Sequence, residues 1–161
     1  MSTALLTDHY ELTMVNAARA SNRADRHTVF EVFSRNLPGG RRYGVVAGTA
    51  RLLDAIGDFH FGDGELDFLS HHSIVGADTL EWLANYRFRG KISGYREGEI
   101  YVPGSPILTV EGTFAEAVVL ETLILSILNY DCAIASAASR MVQAASSRPL
   151  IEMGARRAHE Q

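Results

Sequence analysis

Hydrophobic residues along this chain change their period several times, and each change marks an element. In "HYELTMVNAARAS" the residues Leu12, Val15 and Ala18 recur at helical spacing, which predicts a helix with one inner face. Thr7 or Asp8 stands where such a helix is capped. After the polar turn "NRADRH", the run "TVFEVFSRN" alternates. Val29, Glu31 and Phe33 point one way, and Phe30, Val32 and Ser34 the other, which is the period of a strand. "LPGGRRYG" breaks it. Three helices are predicted next: "VVAGTARLLDAIGDF", "GDGELDFLSHH" with Leu66 and Leu69 inward, and "GADTLEWLANYRF" with Asp78 as cap and Leu80 and Leu83 inward.

The pattern shifts at Gly90. "GKISGYREGEIYVPGSPILTVEGTF" holds strand-favouring residues punctuated by Gly and Pro, so two or three antiparallel strands are expected, with "REGE" and "PGSP" as turns. Two helical stretches follow, from Ala115 to about Asn129 and from Ala133 to Ala145. Small residues line the second, which permits close packing against a neighbour, and Pro149 forbids its continuation. "LIEM" is expected as a last strand. An unpaired apolar strand is unstable in water, so its partners are expected beyond Gln161 or on another chain; docking onto the β-rich segment is the simpler alternative.

Composition narrows the class. With 47% hydrophobic and 21% charged residues over 161 positions, the chain can bury a core and is not of the disordered type. A net charge of −4 gives no whole-protein attraction to nucleic acid or an anionic membrane, although local basic clusters can still hold phosphates. The most apolar run, Ala117 to Ala135, is interrupted by Glu121, Asn129 and Asp131, so a buried helix is expected there rather than a membrane span. "MSTALLTDHYEL" has neither the basic start nor the apolar stretch of a signal peptide. The single cysteine, Cys132, excludes an internal disulfide and suits a reducing compartment; the expected location is the cytoplasm, with Cys132 a small core residue.

Motif chemistry is sparse. There is no G-x-x-x-x-G-K-[ST] and no G-x-G-x-x-G. His71 and His72 are adjacent on a helix and point in different directions, which argues against a shared metal. Arginines stand at three element ends: Arg35 after the first strand, Arg41 and Arg42 after "PGG", Arg156 and Arg157 after the last apolar run. A guanidinium presents paired donors in a plane, which suits carboxylates or phosphates; surface ion pairs are the simpler reading. Tyr10 alone would be an ordinary aromatic on a helix.

Taken together, "LLTDHYELTM", "FEVFSRNLPGGRRYGVVAGTARLLDAI", the segment from "GYREGEIYVPGSPILTVEGTF" to "SRMVQAA", and "IEMGARRAHEQ" resemble consecutive blocks of a nicotinate phosphoribosyltransferase, in the family's order and over nearly the whole chain. The combination of "TD-x-Y-x-LTM", "P-x-GG" and "E-x-G-x-RRAH" is specific, where each block alone is weak. The resemblance implies joining nicotinate to 5-phosphoribosyl-1-diphosphate, with release of diphosphate and formation of nicotinate mononucleotide in NAD salvage. It implies ATP as co-substrate through a phosphorylated histidine, which places the activity among the ligases. It implies magnesium held by the substrate phosphates and a homodimer whose sites are completed across the interface. Neither nucleic acid nor membrane is expected as a partner.

The implied fold is the α+β N-terminal region of a type II phosphoribosyltransferase, residues 1–147, ending at the first strand of an incomplete α/β barrel, residues 148–161. By the same resemblance Tyr10 matches a tyrosine that a partner subunit lays over the pyridine ring, with Asp8 beside it in the motif. Arg35 matches an arginine near the phosphate or diphosphate site, also contributed in trans. Met153 falls where related enzymes carry a phenylalanine on the ring's other face, a departure in which sulfur–aromatic contact would stand in. Arg156 matches an arginine facing the substrate, and Arg157 and His159 complete "RRAH".

The residue types suit the chemistry: a flat carboxylate-bearing ring wants an apolar platform and a fixed cation, and a departing diphosphate is stabilised by arginines. None of His9, His27, His60, His71, His72 or His159 stands in the phosphorylated-histidine motif. The chain is therefore expected to be the front part of such an enzyme, inactive alone. Two alternatives stay open. One is a non-catalytic relic or interaction module docking on a full-length homologue. The other is a related nicotinamide or quinolinate phosphoribosyltransferase.

Overall fold

The computed structural model describes residues 3–158. Strand β1 (His27–Phe33) has the alternation read from its sequence: Phe30 and Val32 lean into the core, while Val29 and Phe33 are exposed. It pairs antiparallel with β5 (Pro106–Thr113), whose other edge takes β3 (Lys91–Gly94), so the sheet order is β1-β5-β3. As the middle strand, β5 is covered on both faces, and the consecutive Ile107 and Leu108 are both buried.

A second, two-stranded sheet pairs β2 (Gly44–Val45) with β4 (Ile100–Tyr101). The sequence reading placed Val45 inside a helix; instead it is in a strand, and helix α2 (Thr49–Asp58) begins four residues later. The pairing continues past β2, since Val46 N–H donates to the Glu99 carbonyl at 2.9 Å and Gly98 N–H to the Val46 carbonyl at 2.8 Å. "REGE" is consequently not the turn of a hairpin: β3 and β4, on either side of it, pair in different sheets. "PGSP" likewise joins strands that are not neighbours.

Helix α1 (His9–Ala20) buries Leu12, Val15 and Ala18 as predicted. Helices α3 (Asp63–His71) and α4 (Ala77–Ala84) pack on one another, with Leu69 and Leu83 buried and Leu66 and Leu80 packed against the core. The residue at the cap position of α4 is Gly76, not the predicted Asp78. Gly76 N–H and the Thr79 hydroxyl both donate to the Asn16 side-chain oxygen at 2.9 Å, so α1 holds this end, and Asp78 sits within the first turn, where a carboxylate complements the helix dipole. Beside it Phe59, Phe61 and Tyr86 meet edge to face, and Trp82 joins Tyr86.

The helical pair divides elsewhere than expected. A short helix α5 (Phe114–Val118) is followed after two residues by α6, which runs unbroken from Glu121–Ala145. The polar residues read as a break do not interrupt it: Asn129 faces solvent and Asp131 is paired with Arg51. By length and composition the stretch Phe114–Ala145 is apolar enough to cross a membrane. One side of it is core, with Ile124, Ile127, Leu128 and Cys132 buried, and it packs on β2 and α2. At the other end of the chain, "LIEM" forms no strand. Leu150, Ile151 and Met153 are 56%, 82% and 83% exposed, because no described strand edge lies alongside to accept them.

Candidate functional site

Helix α6 divides the predicted site residues into two groups. Leu125, Leu128, Asn129 and Cys132 of α6 line one hollow, while Tyr130, Asp131, Ile134 and Ala135 line another. Arg35 lines the first and Arg157 the second, and Tyr10 meets Glu121 at the start of the helix.

Helix α1 is seated against the start of α6. Glu11 is fully buried, and its carboxylate accepts the Thr122 backbone N–H at 3.0 Å and the Thr122 hydroxyl at 2.7 Å. Desolvation pushes this carboxyl up to about 7, against the lowering effect of the two Thr122 bonds. The Asp8 N–H reaches the Thr122 hydroxyl at 3.3 Å, and the Asp8 side chain makes no capping bond. Tyr10, 45% exposed, hydrogen-bonds Glu121, which raises the phenol to about 12 with help from burial and neighbouring carboxylates. One helical turn farther, Leu125 and Asn129 form part of the wall of a groove of about 570 Å³. Its mouth carries Arg35 and Arg41, and its floor includes Tyr101, Ile107, Leu128 and Cys132. The Cys132 thiol is pushed up by burial and accepts the Ala47 N–H at 3.4 Å, in keeping with a core residue. Arg41 thus lines the same groove as Arg35.

A second stretch of the α6 surface faces a hollow of about 810 Å³ bounded by the loop before α2 and by the C-terminal stretch. Arg51 grips Asp131 with two nitrogens, Nε to Oδ2 at 3.1 Å and NH2 to Oδ1 at 2.8 Å. Glu97 caps α2, accepting the Ala50 N–H at 3.1 Å and the Thr49 hydroxyl at 3.0 Å, and these bonds, led by Ala50, hold its carboxyl below the usual range. Arg157 borders this hollow. Arg156 is exposed in the same short 3-10 turn, Ala155–Arg157, and Met153 is exposed just before it. His159 lies outside the described residues.

Within one chain, then, Arg35 and Arg157 line separate hollows. His71 and His72 are exposed, their rings 5.1 Å apart edge to face. Among the described residues no three His, Cys, Asp or Glu gather closely enough to hold a metal ion. The buried Glu11 was not singled out in the sequence, yet its signal was present. It shares the i, i+4, i+7 stripe of Val15 and Ala18, and a carboxylate on an apolar stripe is a group in need of a partner.

The nicotinate phosphoribosyltransferase N-terminal domain family matches residues 5–129 of the chain. A nicotinate phosphoribosyltransferase of Mycobacterium tuberculosis is 60% identical over 97% of this chain and 34% of its own length. That of Bacillus subtilis is 33% identical over 99% of this chain and 32% of its own length. The crystal structure of human nicotinic acid phosphoribosyltransferase superposes with a TM-score of 0.86 at 30% identity, covering 94% of this chain and 31% of the human one. The chain spans about a third of the length of the relatives it matches.

Proposed function

The chain belongs to the nicotinate phosphoribosyltransferase family and has the α+β architecture of its N-terminal region, and from there we propose that it supplies the ring-stacking and anion-contacting residues of an enzyme that makes nicotinate mononucleotide and diphosphate from nicotinate and 5-phosphoribosyl-1-diphosphate. ATP is the proposed co-substrate, and NAD salvage in the cytoplasm the proposed setting. The observation that carries this reading is the division along α6. Arg35 and Arg157 in separate hollows, with Tyr10 at the start of the helix, suit a homodimer in which each site takes Tyr10 and Arg35 from one subunit and Arg157 from its partner.

In this reading the Tyr10 ring is the apolar platform for the pyridine, with Glu121 beside its hydroxyl. Arg35 faces the phosphates, where a guanidinium stabilises charge that grows on the departing diphosphate. Arg156 and Arg157 are the cations nearest the barrel side, Met153 the contact on the ring's second face, and His159 the end of the motif. Asp8 holds the start of α1. Magnesium, which binds phosphate oxygens and keeps its waters, is proposed to be carried by the substrate.

The test is product formation. The 161-residue chain is predicted to show no turnover by itself. A chimera in which it replaces the N-terminal domain of the Mycobacterium tuberculosis relative is predicted to form nicotinate mononucleotide, with nicotinate preferred over nicotinamide and quinolinate. Turnover by the short chain, or a folded dimeric chimera without activity, would refute the reading.

A further inference from the structure

Among the described residues the buried polar side chains are Glu11, Thr79 and Ser136, and of these Glu11 alone is ionisable. It makes no ion pair there, and its charged neighbours Asp8 and Glu121 are both acidic. Its Oε2 is buried without a hydrogen-bond partner in the described structure. A carboxyl in that position stabilises a fold less than an apolar side chain of similar volume. Stability therefore does not account for it. What Glu11 does supply is direction: its Oε1 accepts both the N–H and the hydroxyl of Thr122.

Those two bonds sit at a junction. Helix α6 has no capping side chain of its own, and the Thr122 N–H, in its first turn, is one of the donors that a helix leaves unpaired. Glu11 takes that N–H from a different helix. The Thr122 hydroxyl works in both directions, donating to Glu11 and accepting the Asp8 N–H at 3.3 Å. One residue earlier, the Thr7 hydroxyl donates to the Val119 carbonyl at 3.3 Å. Tyr10 and Glu11 are adjacent on α1, and their partners Glu121 and Thr122 are adjacent on α6. A slip of one residue turns every side chain of a helix by about 100°. The register that brings Glu11 to Thr122 is thus the one that brings Tyr10 to Glu121.

We propose that Glu11 is a positioning residue: through Thr122 it sets the register of α1 on α6 and so holds the Tyr10 ring where the substrate pyridine is to rest. The inference rests on the catalytic reading in taking Tyr10 as the ring platform, and it adds a residue that touches no substrate. The apolar contacts of Leu12 and Val15 are non-directional and tolerate sliding, whereas two hydrogen bonds to one oxygen do not. That matters for a platform, because a misplacement of about 1 Å can slow a bound reaction by roughly a hundredfold.

The experiment incorporates 3-fluorotyrosine into the chain and follows its six tyrosines by fluorine NMR. Tyr10→Phe assigns one resonance, and Glu121→Ala marks where that resonance moves when its partner is lost. Glu11→Met, of similar length and without an acceptor, is expected to move the Tyr10 resonance toward that position and leave the other five in place. Glu11→Gln, which keeps the acceptor, is expected to leave it unmoved. Thr122→Val and Thr122→Ser repeat the comparison from the other helix and decide the matter if Glu11→Met does not fold. In the chimera with the Mycobacterium tuberculosis relative, Glu11→Met is expected to raise the KM for nicotinate roughly tenfold, with kcat and the KM for 5-phosphoribosyl-1-diphosphate within about twofold. A Tyr10 resonance unmoved by both Glu11→Met and Thr122→Val overturns the inference, as does one indifferent to Glu121→Ala. Six resonances that move together also overturn it, by making Glu11 a prop of the whole fold. A fall in kcat with the nicotinate KM unchanged does the same. An inactive chimera carrying Glu11 refutes the catalytic reading instead, and the NMR comparison still decides whether Glu11 holds Tyr10.

Discussion

Glu11 on α1 and Thr122 at the first turn of α6 are joined twice, the backbone N–H and the hydroxyl of Thr122 both donating to one buried carboxylate oxygen at 3.0 and 2.7 Å. The other oxygen, Oε2, is buried with no partner in the described structure. Next along each helix, Tyr10 and Glu121 meet at the surface. The two helices therefore share a buried contact and an exposed one at adjacent positions, and the buried one sets where Tyr10 stands.

The buried contact makes stability depend on pH. Glu11 is raised from an ordinary 4.5 to about 7 in the folded chain, so the folded state holds its proton more tightly than the unfolded one. The associated stability is fully present below the unfolded value. It is lost as pH rises through about 7, by an amount on the order of 3 kcal/mol. Glu11→Gln keeps an acceptor for Thr122 without the charge. Urea unfolding near pH 5 and near pH 8 is expected to give a flatter dependence for the variant, and at the higher pH the variant is expected to be the more stable. Equal pH slopes for the two proteins would remove Glu11 as the cause.

The exposed contact is read separately. The Tyr10 phenol titrates near 12 chiefly because it hydrogen-bonds Glu121. In Glu121→Gln the phenol is expected to fall back toward the ordinary value of about 10. Tyrosinate absorbance, with Tyr10→Phe to assign the signal among the six tyrosines, measures this directly. A titration that stays high in the variant would mean that another group holds the hydroxyl.

What the sequence displayed, and what it hid, follows from where each partner sits. The alternation in β1 was legible because one face of that strand is buried and the other is not. The start of α2 was hidden because β2 is two residues long and finds its partner at Ile100–Tyr101, more than fifty positions away. The unity of α6 was hidden by Asn129, Tyr130 and Asp131, which read as a break until Arg51, from α2, is seen to satisfy Asp131. With α6 cut in two on paper, the separation of Tyr10 and Arg35 from Arg157 could not be read. "LIEM" misled for the opposite reason: apolar, β-prone residues specify a strand only where an edge exists to receive them. The motif residues were legible as types, and their distribution over two hollows along one helix was not.

Gly48 is the point where α2, Glu97 and the Arg51–Asp131 pair come together. Its φ of +91° is in the region that suits glycine, and a Cβ built there would stand 2.4 Å from the Asp131 carboxylate. Gly48→Ala is therefore expected to destabilise the chain by about 1–3 kcal/mol, from backbone strain and displacement of Asp131. Gly57→Ala is the control: it meets nothing within 4 Å and has no left-handed backbone. Thermal unfolding of both variants decides the matter, and equal melting temperatures would show that the loop yields without cost.

The proposed sharing of sites between subunits has a consequence that no single variant reveals. In the proposed dimeric enzyme, Tyr10→Ala and Arg157→Ala are each expected to abolish most nicotinate mononucleotide formation. If Tyr10 serves the partner's site and Arg157 its own, a heterodimer of the two variants holds one intact site and one doubly impaired site. Random reassortment makes about half of the dimers mixed, so about a quarter of the wild-type activity should return. If both residues served the same subunit's site, every site in the mixture would lack one of them, and mixing would restore nothing. The assay needs only subunit exchange, product measurement and the two parents as controls. Its outcome turns on the geometry of α6, because the helix that separates Tyr10 from Arg157 within one chain is what would require the second.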